Sequence, residues 1–316
     1  MKDKRMSARR MDWKMKVIEE IDKGDHTSFR VELIPHPDRY ELKTIDGKQG
    51  YWDKFDKLFI PLDVLKESVP QMEGLPIFYS PPEIKNIENY TWNRIEEMKN
   101  YFEKEAESYA FKDKSEDFLE SLSKDKMRFV ILSIDLKGST KMSQQLSIED
   151  NSKIIALFSK EISQLVYYFN GYVLKYLGDG IIAYFPEPNF IGMNDNAIDC
   201  ATSIKYFILN GLNKVLDENN LPPLNFRIGL DSGEAMVVTI GSKVSKMHKD
   251  LIGQTINLAT KIQSLAGTNQ ILAGEVTIQN AHYTRRKLFE SFKLPGNWNY
   301  LKYGTTDKYQ VYAFKY

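Results

Sequence analysis

Asp135 and Asp179 are two residues whose type and placement could do chemistry as a pair. Asp135 ends an apolar run of strand length, residues 129–134 (FVILSI), and Asp179 stands in Gly178-Asp179-Gly180 between the strand-like runs 172–177 and 181–185. Gly-Asp-Gly between two such runs signals a hairpin with the aspartate at its tip. An antiparallel sheet pairing these strands would bring both carboxylates to one edge. Two carboxylates repel unless something positive lies between them. The natural solution is one or two divalent cations, Mg²⁺ or Mn²⁺, bound by hard oxygen ligands and completed by nucleotide phosphates and a backbone carbonyl such as that of Leu136. Taken singly, each aspartate has an ordinary explanation, as a turn residue or a helix N-cap. The neighbours add to the pair: Lys137-Gly138-Ser139-Thr140 places small residues and free backbone N–H groups at a helix N-terminus, a cradle for a triphosphate.

The elements that must position these residues follow from hydrophobic spacing. Ile154, Ile155, Leu157, Phe158, Ile162, Leu165, Val166 and Phe169 recur at helical spacing, and Asn170-Gly171 supplies the stop. A second helix is predicted over 194–212, a strand pair over 224–230 and 235–240 around Asp231-Ser232-Gly233, a helix over 255–265 and a strand over 270–273. This order predicts an α+β fold, a central antiparallel sheet with helices on one face. The chain changes character near residue 122. Residues 1–122 are charged and aromatic-rich, with a loop over 75–83 and a helix over 84–109, and carry no assignable chemistry. They read as a partly helical extension that packs on the main domain, residues 123–316, or on a partner subunit.

The 316 residues carry 43 Lys+Arg against 43 Asp+Glu, a balance that argues against a general polyanion binder. No basic stripe with interleaved aromatics stands out beyond the first 16 residues, so DNA is not an expected partner. No apolar run approaches the roughly 18 residues needed to cross a bilayer, and the charged N-terminus has no apolar core behind it. The sole cysteine, Cys200, sits in an apolar stretch as a core thiol, and the four histidines lack zinc-ligand spacing. A cytoplasmic protein without a membrane segment is expected.

Four segments in order, Ile134–Thr140 (IDLKGST), 174–180 (LKYLGDG), 227–230 (RIGL, with Gly233) and 250–259 (DLIGQTINLA), resemble the class III nucleotidyl cyclases, with the two aspartates 44 positions apart. The resemblance covers roughly residues 123–316, closes on a strand over 309–314, and implies the ferredoxin-like cyclase domain. It implies that Asp135, Asp179 and the Leu136 carbonyl hold two divalent cations, Mn²⁺ or Mg²⁺. It also makes Asn257 a transition-state residue and Lys261, where the family usually has an arginine, its helical neighbour. Lysine keeps the charge but loses the bidentate fork, for which Arg227 or Lys243 could compensate. Lys175 and Asp250 match the base-reading positions and form the pair typical of adenylate cyclases, which disfavours GTP. A cationic donor beside an anionic acceptor satisfies adenine, cytosine or uracil.

The detailed wording of the motifs is similar to the bacterial pyrimidine cyclases of Pycsar antiphage systems. That likeness implies a nucleoside triphosphate substrate, UTP or CTP, a cyclic UMP or cyclic CMP product and a separate effector that responds to it. An adenylate cyclase, or an inactive cyclase-like dimerisation module, are the alternatives. The family arrangement also implies a head-to-tail homodimer with active sites at the interface.

Overall fold

The computed structural model describes residues 10–22, 24, 27–68, 81–103, 114–122, 126–186, 192–242, 244, 247–302 and 304–316. Lys243, most of the basic residues of the first 16 and part of the expected 75–83 loop lie outside these. The chain divides into two compact units, one of Met1–Phe78 with His282–Arg286 and the other of Tyr79–Ala281 with Lys287–Tyr316.

In the first unit β1 (Trp13–Asp22) pairs antiparallel with β2 (Thr27–Pro35), while β3 (Tyr40–Ile45), β4 (Lys48–Asp53) and β5 (Leu58–Pro61) form a three-stranded sheet followed by α1 (Leu62–Ser68). The sequence predicts no strand here; its loop over 75–83 and helix over 84–109 follow these strands in the chain. Its strands alternate charged and apolar residues, and much of β1 and β3 is exposed, so no buried apolar run marks them. The buried Arg39 binds Asp12 at 2.7 Å, Asp53 at 2.7 Å and Asp56 at 2.8 Å, and Arg286 meets Asp56 at 2.7 Å, which closes the unit around a charge cluster.

The second unit begins with α2 (Ile87–Glu103) and α3 (Lys114–Ser121). It continues through β6 (Lys126–Leu136), α4 (Ser139–Gln145), α5 (Ile148–Tyr168), β7 (Tyr172–Leu177), β8 (Gly180–Pro186), α6 (Met193–Phe207), a π turn at Ile208–Leu212 and α7 (Asn213–Glu218). Then come β9 (Phe226–Gly241), β10 (Met247–Ile252), α8 (Gln254–Leu265), β11 (Gln270–Gly274) and α9 (Glu275–Asn280). The segment α10 (Tyr283–Arg286) belongs to the first unit, and β12 (Phe289–Ser291) and β13 (Val311–Phe314) complete the second. The sheet order is β12-β13-β11-β9-β6-β8-β7, with β10 also on β9, and every pairing is antiparallel except β11 with β9.

Two expectations are corrected here. Residues 224–230 and 235–240 are not a hairpin; β9 runs unbroken through Asp231-Ser232-Gly233, and each of its residues from Phe226 to Met236 has a partner in β6. The turn-forming side chains are engaged elsewhere. Asp231 accepts hydrogen bonds from Tyr309 at 2.5 Å and Thr255 at 3.1 Å, and Ser232 donates to Asn194 at 2.5 Å. Tertiary contacts therefore satisfy groups that would otherwise favour a local turn. Helices also cover both faces of the sheet rather than one. Val130, Leu132 and Ile134 of β6 pack in a core with α5 and α6, whereas Phe129 and Ile131 pack with Leu119 of α3 and Ile256 and Ala259 of α8. Gly229 permits the second layer: a Cβ there would lie 2.3 Å from the Ala259 carbonyl oxygen and 2.3 Å from the Gln263 nitrogen, so α8 rests directly on β9.

Candidate active site

The antiparallel register of β6 and β8 sets Asp135 opposite Gly180, the residue after Asp179, so the hairpin tip of β7 and β8 lies against the end of β6. Asp135 Oδ1 faces that tip, 3.6 Å from where a Cβ on Gly180 would stand. Its other oxygen, Oδ2, is held from two sides. Arg227, directly opposite on β9, pairs with it through Nη2, and Gln263 of α8 donates Nε2–H at 3.4 Å. One carboxylate oxygen is thus committed to protein donors and the other is turned to the hairpin.

After Leu136 the chain turns through Lys137, whose N–H donates to the Asn225 carbonyl at 2.8 Å and whose Nζ donates to Thr268 at 2.7 Å. Gly138, at φ +87°, then opens α4, a helix of seven residues, with Ser139 and Thr140 in its first turn. Leu136, Lys137, Gly138 and Ser139 line a pocket of about 180 Å³ closed on the other side by Pro222, Pro223 and Leu224.

Lys175 of β7 and Asp250 of β10 meet with Nζ 2.5 Å from Oδ2. Asp250 is 5% exposed, and its Oδ1 accepts the Leu251 N–H at 2.8 Å, so one oxygen is fixed by backbone and the other by the lysine. Tyr176, the next residue on β7, points elsewhere, its hydroxyl 2.8 Å from Ser163 of α5, as strand alternation requires. Asn257 and Lys261 lie exposed one turn apart on α8. Among the described residues no hydrogen bond joins either of them to Asp135, Asp179, Lys175 or Asp250. The single chain therefore assembles two separate constellations, the Asp135 edge and the Lys175–Asp250 pair, and leaves Asn257 and Lys261 facing outward.

Gln263 carried no signal in the sequence, because a buried polar residue on an amphipathic helix looks like an ordinary boundary position. Arg227, a motif residue and a candidate substitute charge for Lys261, is paired by the fold with Asp135.

The donor set suits a hard cation. Two carboxylates and a backbone carbonyl are oxygen ligands, and among the described residues there is no group of three or more His, Cys, Asp or Glu side chains that could cage a metal by itself. Such a site is completed by phosphate oxygens or water, as Mg²⁺ and Mn²⁺ sites commonly are.

An antiparallel-rich sheet with helices on both faces, Asp135 at a strand end and Asp179 at the adjoining hairpin tip agree with a nucleotide-cyclase type of domain. The family model described as adenylate and guanylate cyclase catalytic domain matches residues 122–311, and the chain belongs to that family. A cytidylate cyclase from Staphylococcus aureus is 28% identical over 220 residues, 67% of this chain and 51% of that protein. A uridylate cyclase from Treponema porcinum is 25% identical over 174 residues, 53% of this chain and 59% of that one. An adenylate cyclase from Anabaena cylindrica is 26% identical over 183 residues, 54% of this chain and 34% of that protein. The chain thus spans about half the length of the cytidylate cyclase and about a third of the adenylate cyclase. The adenylyl cyclase CyaB from P. aeruginosa shares the fold, with a TM-score of 0.52 at 19% identity over 61% of this chain and 96% of that one.

Proposed function

We propose that this chain is a divalent-cation-dependent nucleotidyl cyclase that converts UTP or CTP to the 3′,5′-cyclic monophosphate and pyrophosphate, as a homodimer with shared active sites. The observation that supports the reading is the register of Asp135 with Gly180, the residue after Asp179, at the end of β6 from which the chain turns into α4. The division into an extension, residues 1–122, and a catalytic domain, residues 123–316, is part of the same reading. In it, α2 and α3 are the extension's contribution to the second compact unit.

In this reading Asp135, Asp179 and the Leu136 carbonyl hold the cations, Mn²⁺ or Mg²⁺. The cations, when bound, acidify the ribose 3′-hydroxyl and neutralise the triphosphate. Lys137, Gly138, Ser139 and Thr140 line the triphosphate, and Lys175 and Asp250 of the second chain read the base as donor and acceptor. Asn257 and Lys261, from the second chain, orient the ribose and meet the charge that develops as the 3′-oxygen bonds to the α-phosphorus and the bond to the β-phosphate oxygen breaks. Because the exposed Asn257 and Lys261 do not meet Asp135 within one chain, a second copy has a place in the reaction. The pyrimidine choice draws on the likeness to cytidylate and uridylate cyclases, and with it come the cytoplasmic location, the antiphage role and a separate effector of the cyclic product. Among the described residues no helix is long and apolar enough to cross a membrane.

A second reading, an adenylate cyclase, is favoured by the Lys175–Asp250 pair itself, whose donor and acceptor also suit adenine. Incubation of the protein with ATP, GTP, CTP and UTP separately in Mn²⁺, with an Asp135→Ala control, separates the two by the mass of the product. Cyclic UMP or cyclic CMP is expected; cyclic AMP alone would replace the pyrimidine reading, and equal product from the control would remove Asp135 from the chemistry.

A further inference from the structure

The carboxylate of Asp135 is contested. Arg227 lies directly across the β6–β9 ladder and binds Oδ2 through one nitrogen only, while its buried Nε has no hydrogen-bond partner among the described residues. A guanidinium in that position has a second donor ready, and a carboxylate next to it gains by rotating into a two-pronged pair. That rotation would draw Oδ1 away from the Gly180 tip and toward arginine. Arg227 has reason to make the move, since a buried donor without a partner is destabilising.

Gln263 opposes it. The residue is 5% exposed, so its amide needs a partner inside the protein, and its Nε2–H points to Asp135 Oδ2 at 3.4 Å. Its backbone cannot drift, because it is seated against Gly229 at the closest approach of α8 to β9. Asp135, Arg227 and Gly229 occupy the same face of the sheet by strand alternation and register, the face that α8 covers. Arg227 and Gln263 both donate to Oδ2, and Oδ1 is left directed at the hairpin that carries Asp179.

We propose that Gln263 is a positioning residue that keeps Asp135 in the rotamer able to bind a cation and prevents Arg227 from capturing both oxygens. The proposal rests on the reading of Asp135 as a cation ligand. It assigns a role to α8 beyond the exposed Asn257 and Lys261, for the buried side of the same helix sets the geometry of the carboxylate.

The test is Mn²⁺ binding to the full-length protein without nucleotide, followed by electron paramagnetic resonance of the free ion, for wild type, Gln263→Met, Gln263→Leu, Asp135→Asn, Arg227→Met and the double variant Gln263→Met/Arg227→Met. Both single replacements at Gln263 keep the side-chain bulk and remove the donor, and thermal melts show which of them folds. Loss of a residue that orients a metal ligand weakens affinity by about 10–100-fold, the loss expected for Gln263→Met. Because removing the Arg227 charge raises cation affinity by itself, the double variant is read against Arg227→Met alone: the two should bind Mn²⁺ equally, so that Gln263→Met weakens binding only while Arg227 is present, a dependence that a merely structural role for Gln263 would not produce. In cyclase assays the Mn²⁺ concentration for half-maximal rate should rise in parallel while KM for the nucleotide holds. A folded Gln263 variant with unchanged Mn²⁺ affinity, or a double variant that binds more weakly than Arg227→Met alone, overturns the proposal. If Asp135→Asn leaves Mn²⁺ binding intact, the cation reading fails first and this one with it.

Discussion

Lys175 Nζ lies 2.5 Å from Asp250 Oδ2, although 75 positions separate the two residues and they belong to strands at different places in the sheet, β7 and β10. A part-exposed lysine thus holds one oxygen of a nearly buried aspartate whose other oxygen accepts the Leu251 N–H.

That relationship predicts a loss of base reading when either partner is removed. Asp250→Asn and Lys175→Met should each lower kcat/KM for the preferred nucleotide by roughly 10–100-fold, the range of one or two charge-assisted hydrogen bonds. Rates with all four nucleoside triphosphates check it, and unchanged discrimination among them would remove the pair from base recognition.

Shared sites predict complementation. Asp179→Ala and Asn257→Ala chains should each be inactive alone, and mixing them should restore roughly a quarter of wild-type activity, since half of random dimers are mixed and each has one intact site. Demonstrated heterodimers without activity would sink the shared-site reading.

Lysine at position 261 predicts a graded response. Lys261→Ala should lower kcat by about 100-fold or more if the charge meets the transition state, whereas Lys261→Arg should hold or raise kcat by restoring a fork of donors. A full-speed Lys261→Ala enzyme would make this a solvated helix lysine.

Burial pushes the Asp231 carboxyl up to about 7, against the hydrogen bonds it accepts from Tyr309 and Thr255. A raised folded value means that between about pH 4 and 7 the native state holds a proton the unfolded state has lost. This group's contribution therefore makes stability fall as pH rises through that window, by at most about 1.4 kcal/mol per pH unit. Asp231→Asn should flatten the pH dependence of Tm between pH 4 and 7, and an unchanged slope would mean that Asp231 ionises normally.

The seat of α8 predicts a cost for any side chain at Gly229. Gly229→Val must push the helix off β9 and should destabilise the protein by about 1–3 kcal/mol or more, visible as a lower Tm with concurrent loss of activity. An unperturbed melt would mean that α8 is free to move away from the sheet.

The local elements around the candidate site residues are legible in the sequence. The run that ends at Asp135, the Gly-Asp-Gly tip, the stop at Asn170-Gly171 and the helix that carries Asn257 and Lys261 are local patterns, and local steric and hydrophobic preferences write them directly into the order of residues. Local signals misled where long-range contacts won. Asp231-Ser232-Gly233 has the composition of a turn, yet Tyr309, Thr255 and Asn194 take up the polar groups and β9 runs straight through. The strands of the first unit escaped notice because exposed β-strands need no apolar stripe.

The sequence by itself determined which residues can bear charge at strand ends, and in what order the elements follow. Only the tertiary structure decided their partners: Asp250 for Lys175, Arg227 and Gln263 for Asp135, the last of these from 128 positions away. Periodicity records that a face is buried but not what buries it, so the hydrogen bonds that aim a carboxylate exist only once the chain has brought distant segments together.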